Sequence, residues 1–196
     1  MIKENATNPR HLGYVGSLRN AGDEAGDEWF TPDEQLAIFR RILGGGISLD
    51  PFSSELANQR VQADKIFTKV NSAFANPWVA DSVFMNPPYS RGICAKAVHK
   101  AIDEFERKRF KKAIILVNNM TDTAWFACLD AIAIRQCAMT GRIAFFAPDN
   151  KPISGNTRGQ FVFLLASPKD SSVRRFDALM PTCGRVRGPI INGIAQ

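Results

Sequence analysis

Ala113-Ile114-Ile115-Leu116-Val117 carries no polar residue on either of the two faces a β-strand presents. A strand with one face in water alternates polar and apolar side chains, so an unbroken apolar run needs cover on both sides. That requirement points to a central parallel strand of an α/β sheet flanked by helices. The run is far too short to cross a bilayer, as is the apolar stretch from Phe161 to Ala166.

Helical and extended segments alternate around it. Thr31 can cap a helix, with Pro32 at its first position and Glu34 closing a capping box. Leu36, Phe39, Ile42 and Leu43 follow at helical spacing, and Gly44-Gly45-Gly46 stops the helix. Ile47-Ser48-Leu49-Asp50 reads as a short strand ended by Pro51, and Ser53-Ser54 opens a helix running to about Phe67. Val83-Phe84-Met85 is a further strand, broken by Asn86-Pro87-Pro88-Tyr89. Ser90 can cap the next helix, whose apolar face is Cys94, Ala97, Val98, Ala101, Ile102 and Phe105. Thr121 or Asp122 caps another, carrying Trp125, Phe126, Leu129, Ile132 and Ala133. The last third is strand-rich, with segments near Gln136 to Thr140, at Ile143 to Phe146, and at Gln160 to Ala166. The expected fold is a three-layer α/β sheet, mostly parallel, with an antiparallel hairpin at one edge. At 196 residues the chain has room for one such domain. We expect a loose polar arm over 1–28, the domain over 29–170, and a basic tail over 171–196 that can pack on it.

In sheets of this kind ligands sit beyond the carboxyl ends of the strands. Asp50-Pro51 and Asn86-Pro87-Pro88-Tyr89 both fall there. The tetrapeptide suits an amine attached to an aromatic ring, whose lone pair is delocalised and poorly nucleophilic. The side-chain oxygen of Asn86 and the backbone carbonyl of Pro87 offer two acceptors for its N–H groups. Two prolines stiffen the turn and remove competing donors, and Tyr89 offers a flat ring on which a base can stack. Taken alone, the same four residues also read as a rigid strand-to-helix turn.

Cys94, Cys128, Cys137 and Cys183 show no CxxC spacing and do not pair with the two histidines. No metal is expected, and a reduced, cytoplasmic setting is the simplest reading. The first residues contain no apolar stretch of the secretory kind. A net charge of +6 favours a polyanionic partner. Arg91, just past the turn, and Lys151 and Arg158, on the loop from Asp149 to Gly159, are the candidates for phosphate contacts. Arg174-Arg175 and Arg185-Val186-Arg187 could add to them. Arg107-Lys108-Arg109 with Lys111-Lys112 lies at the opposite end of the sheet and reads as a solvated helix terminus.

Over roughly residues 29 to 166 the chain resembles the phage-type DNA N-6-adenine-methyltransferase (Dam) family. The resemblance is carried by Trp29-Phe30-Thr31-Pro32, Asp50, Trp78, Asn86-Pro87-Pro88-Tyr89, Thr121 to Phe126, and Gly141 to Phe146, in that order. It implies a Rossmann-like fold that binds S-adenosyl-L-methionine and passes its methyl group to N6 of an adenine flipped out of double-stranded DNA. It also implies that Asn86, Pro87, Pro88 and Tyr89 are catalytic, and that Trp29, Thr31, Pro32, Asp50, Pro51 and Asn86 meet the cofactor. Tyr89 and Phe146 would stack on the base, and restriction-modification is the implied setting. One departure stands out. Asp50-Pro51-Phe52-Ser53-Ser54-Glu55 contains no glycine, where such enzymes have a Gly-rich turn. The residue meeting the adenosine of the cofactor stays open between Asp64 and Asn76. Two other readings also stay open: the same chemistry on RNA or another planar amine or amide, and a catalytically silent nucleic-acid-binding relative.

Overall fold

The computed structural model describes residues 29–90, 92–153 and 158–188, and the backbone of 190–191 and 194–195. The expected arm over 1–28 and the candidate Arg91 lie outside the described residues. Among the described residues, five α-helices and a seven-stranded sheet make up a mixed α/β fold. The strands are β1 (Ile47–Asp50), β2 (Ala63–Ile66), β3 (Ser82–Met85), β4 (Lys112–Asn118), β5 (Arg135–Met139), β6 (Gln160–Ala166) and β7 (Gly184–Arg187). The helices are α1 (Asp33–Leu43), α2 (Glu55–Val61), α3 (Ile93–Glu106), α4 (Ala124–Ile132) and α5 (Ser171–Leu179). A separate two-stranded ribbon joins β8 (Ile190–Ile191) to β9 (Ile194–Ala195).

The strand order is β2-β1-β3-β4-β6-β5-β7. β1 pairs in parallel with β2 and β3, and β3 with β4; β6 runs antiparallel between β4 and β5, and β7 antiparallel along β5. Half of the pairings are thus antiparallel, and the sheet is mixed. The chain moves outward from β1 to β2, then returns to set β3 on the other side of β1. The crevice between β1 and β3 is therefore the point where the strand order reverses, the place where open α/β sheets take ligands.

Alternation along β4 divides the core. Ile114 and Leu116 face a cluster containing Leu36, Phe39 and Ile42 of α1, Val61 of α2, and Val173 and Phe176 of α5. Ala113, Ile115 and Val117 face a second cluster with Ala97, Val98 and Ala101 of α3 and Phe126 and Leu129 of α4. The uninterrupted apolar run of β4 is explained by this double cover.

Several local expectations change. α2 stops at Val61 rather than near Phe67, because Gln62 turns left-handed at φ 54° and Asn58 clamps the next residue. The Asn58 side chain donates to the Ala63 carbonyl (3.1 Å) and accepts from its N–H (2.8 Å), which starts β2. Ser54 caps α2 as expected, accepting from Ala57 N at 3.1 Å. Thr31 does not cap α1: Pro32 occupies that position without a side-chain bond, and the Thr31 side chain turns inward. Nor does Ser90 occupy the cap of α3, which starts behind left-handed Gly92, while Thr123 rather than Thr121 or Asp122 precedes α4.

The expected hairpin at Ile143 to Phe146 does not form. Ile143 donates its N–H to the Gln160 side chain instead of a neighbouring strand, and Phe146 makes only isolated bridges, to Phe30 and Pro152. Beyond Ser171, read as a tail, Phe176 and Met180 are fully buried and β7 joins the sheet. Arg175 donates to the Ile42 carbonyl at 2.7 Å, satisfying the end of α1 rather than standing free.

Candidate active site

Asp50 is the last residue of β1, and Asn86 directly follows β3. They stand at the carboxyl ends of the two strands that border the switch point. A cavity of about 840 Å³ opens there, within the range of small-molecule and cofactor sites. Trp29, Thr31, Asp50, Pro51, Asn86 and Pro88 of the expected site residues all line it.

Asp50 is 3% exposed, and its carboxylate accepts from the Phe52 N–H at 3.1 Å. Burial raises its pKa to about 7, and the bonds from Phe52 N–H and Ser53 offset only part of the shift.

Asn86 has both ends of its carboxamide engaged. Its Nδ2 donates to the Trp29 carbonyl (3.1 Å) and to Thr31 Oγ1 (3.4 Å). Its Oδ1 accepts from the Tyr89 hydroxyl at 3.2 Å, and that hydroxyl also lies 3.3 Å from the Leu116 carbonyl of β4. The acceptor carbonyl of Trp29 fixes which end of Asn86 is the amide nitrogen. Burial drives the Tyr89 pKa well above its usual value, with the nearby Cys94 adding to the shift, so the hydroxyl remains a donor. Pro87 is buried beneath the turn and leaves the cavity wall to Pro88.

The entry segment, Trp29 to Pro32, is pinned from behind. Phe30 N–H donates to the Phe146 carbonyl (2.8 Å), Phe146 N–H donates back (3.0 Å), and the Trp29 ring packs 5.5 Å from that of Phe145. Phe146, read as a second platform for a base, has the Arg60 guanidinium 4.6 Å over its ring. Arg60 also donates to Asp33 (3.0 Å) and to Asn150 (2.9 Å), tying α2, the start of α1 and the 147–153 loop together at the cavity wall.

Phe52, Phe67 and Phe74 in the same wall were not expected from sequence, nor were Arg60 and Lys69. The aromatics pass for core residues, and two of them are partly that: Phe67 is buried, and Phe52 packs on Trp78 edge to face at 5.9 Å. Neither Asp64 nor Asn76 is in the described wall. Asp64 lies near the start of β2, and Asn76 is bound within its own loop to Asn71 Oδ1 and the Ser72 carbonyl. The carboxyl end of β2 brings Thr68 and Lys69 to the wall instead.

Lys151 is largely exposed and pairs with Asp149 at 2.9 Å, while Arg158 is exposed and lies against Met120. At the other end of the sheet Arg107 pairs with Asp103, Arg109 with Glu104, and Lys111 and Lys112 with Asp81. No group of three or more metal-ligating side chains occurs among the described residues, and no helix among them is long and apolar enough to cross a membrane.

The family model of DNA N-6-adenine-methyltransferases (Dam) matches residues 19–179, more than half of the chain. The chain belongs to the Dam family. Membership implies methylation of adenine N6 in DNA, and so a DNA substrate. The Dam match takes in the entry segment, both strand ends that border the cavity, and every helix through α5. No curated protein matches this Dam-family chain.

Proposed function

We propose that the chain transfers a methyl group from S-adenosylmethionine to N6 of an adenine drawn out of duplex DNA, in a Rossmann-like methyltransferase arrangement. The observation that carries this reading is the shared cavity: the buried Asp50 carboxyl group, with no counter-charge among its partners, and the Asn86 carboxamide line one space at the switch point. The residues present suit the cofactor. Asp50 can take the ammonium of its methionine end, and Phe52, Phe67 and Phe74 form an apolar wall suited to its adenine ring. When bound, S-adenosylmethionine would supply the electrophilic methyl and leave as S-adenosylhomocysteine, with the surplus proton of the methylated amine passing to solvent.

The chain's own residues prepare the nucleophile. Asn86 Oδ1 and the Pro87 carbonyl accept the two N–H groups of the target amine and draw its lone pair out of conjugation with the ring. Asn86 Oδ1 has a second lone pair for the amine beside the Tyr89 hydroxyl, which also lies within reach of the Leu116 carbonyl. Tyr89 then offers its ring to the base, since Arg60 covers a face of Phe146. Extrusion of the base costs a few kcal/mol, which stacking and the two hydrogen bonds offset. Lys151 and Arg158 serve the DNA phosphates.

Transfer of labelled methyl from S-adenosylmethionine to unmethylated duplex DNA, with the nucleosides resolved by mass, tests the reading. Label in N6-methyladenine, lost in Asn86→Ala while the cofactor still binds, is the expected result. Label in RNA in preference to DNA, or wild-type turnover in Asn86→Ala, overturns it.

A further inference from the structure

Thr31 stands where the local sequence provides a complete reason for a helix cap, yet it makes no cap. Its side chain is 3% exposed and turned to the cavity, and its one described partner is the catalytic carboxamide, Asn86 Nδ2, at 3.4 Å. The Trp29 carbonyl takes the same nitrogen at 3.1 Å. Between them, two residues of the entry segment accept from the amide nitrogen, and Oδ1, which takes the Tyr89 hydroxyl at 3.2 Å, keeps a second lone pair for a substrate. Without such acceptors the carboxamide could turn over and present N–H groups to an amine that is itself a donor. The segment is well placed to hold still. The paired Phe30–Phe146 bonds and the Trp29–Phe145 ring contact anchor it on one side, and α1 begins immediately after it.

We infer that Thr31 is a positioning residue for methyl transfer, acting through Asn86 rather than through the cofactor. The inference rests on the proposed function for its catalytic meaning; the contact itself does not. A support of this kind acts on the chemical step, because it fixes an acceptor used only when the amine is in place.

Two variants separate the possibilities. Thr31→Val keeps the shape and removes the oxygen, and Thr31→Ser keeps the oxygen. In single-turnover methylation of duplex DNA we expect Val to be about five- to tenfold slower, the scale of one lost hydrogen bond. Its KM for S-adenosylmethionine should stay within about twofold, and Ser should recover the rate. A Val variant with wild-type rate, or one whose only defect is a raised cofactor KM, overturns the inference. A second readout does not depend on activity. In the unliganded protein, exchange of the Asn86 side-chain amide protons should quicken in Val and stay slow in Ser, and unchanged exchange in Val counts equally against the contact. Should the wild type leave DNA unmethylated, the functional reading falls, and the amide exchange still decides whether Thr31 holds Asn86.

Discussion

Asp50 makes the stability of the unliganded protein depend on pH in an unusual direction. A carboxyl group usually ionises more readily in the folded protein, but burial moves this one from 3.8 up to about 7. Between those values the folded chain keeps a proton that the unfolded chain has lost, so folding is favoured at the lower pH and weakened as pH rises through 7. The gap of about 3 units corresponds to about 4 kcal/mol at most, at about 1.4 kcal/mol per unit. At 3% exposure, Asp50 has little solvent to screen the effect. Asp50→Asn removes the titration while keeping an oxygen for the Phe52 N–H. Urea unfolding of both proteins from pH 5 to pH 8 measures the difference. The variant should gain on the wild type by about 3 kcal/mol across that range, with the gain complete just above pH 7. A difference that is flat with pH, or that moves in the wild type's favour as pH rises, would refute the argument that Asp50 is buried without a cation.

Three further outcomes follow from the packing. Glu104 is fully buried, and burial alone would raise its pKa, but Lys100 (2.6 Å), the Trp78 N–H (2.8 Å) and Arg109 (3.1 Å) outweigh that and hold it below its usual value. Glu104→Ala strands those donors and should cost about 3 kcal/mol in chemical denaturation, whereas Gln, still able to accept from Trp78, should cost less than half as much. A Cβ on Gly184 would lie 2.1 Å from the Ala138 carbonyl oxygen, so Gly184→Ala should force β7 away from β5 at a cost of about 1–3 kcal/mol, seen as faster amide exchange along β5 and β7. Tyr89→Phe keeps the ring and frees Asn86 Oδ1; cofactor affinity should hold within about twofold and turnover within about tenfold, and complete loss of turnover would show that the hydroxyl does more than occupy the acceptor.

The parts of this structure that sequence reveals are those dictated by one face or one turn. The apolar run of β4 demands two covering layers, and the structure supplies both. Asp50 and Asn86 follow short strands at their carboxyl ends, so their meeting at one cavity follows from parallel pairing on either side of β1. Elements set by distant partners stay hidden. β2 begins because the Asn58 side chain pairs with the Ala63 backbone, and nothing in the apolar pattern marks that clamp. Ile143 to Phe146 alternates like a strand, yet its first N–H goes to the Gln160 side chain and Phe146 finds Phe30 from the opposite end of the chain. Phe52 and Phe67 pass for core residues in any local reading, because they serve the core and the cavity wall together.

The local rules fail most clearly where the site is built. Thr31 has the neighbours of a capping box and leaves the cap unmade; Asp50 is buried with a backbone N–H and a serine rather than a counter-charge; Asn86 gives one lone pair of its acceptor to Tyr89 from the same turn. Each departure carries a local cost, and each concerns a residue at the wall of one cavity or touching one that is. A fold optimised only for its own stability would cap α1 with Thr31 and pair or replace Asp50, since neither change touches the two hydrophobic clusters that hold the sheet. On the proposed function, a cation beside Asp50 would give that carboxyl group the counter-charge it lacks, and an amine beside Asn86 would use the lone pair of Oδ1 that Tyr89 leaves open. The cost at Asp50 would then lie where a ligand contact offsets it, as a binding site assembled against local preference requires.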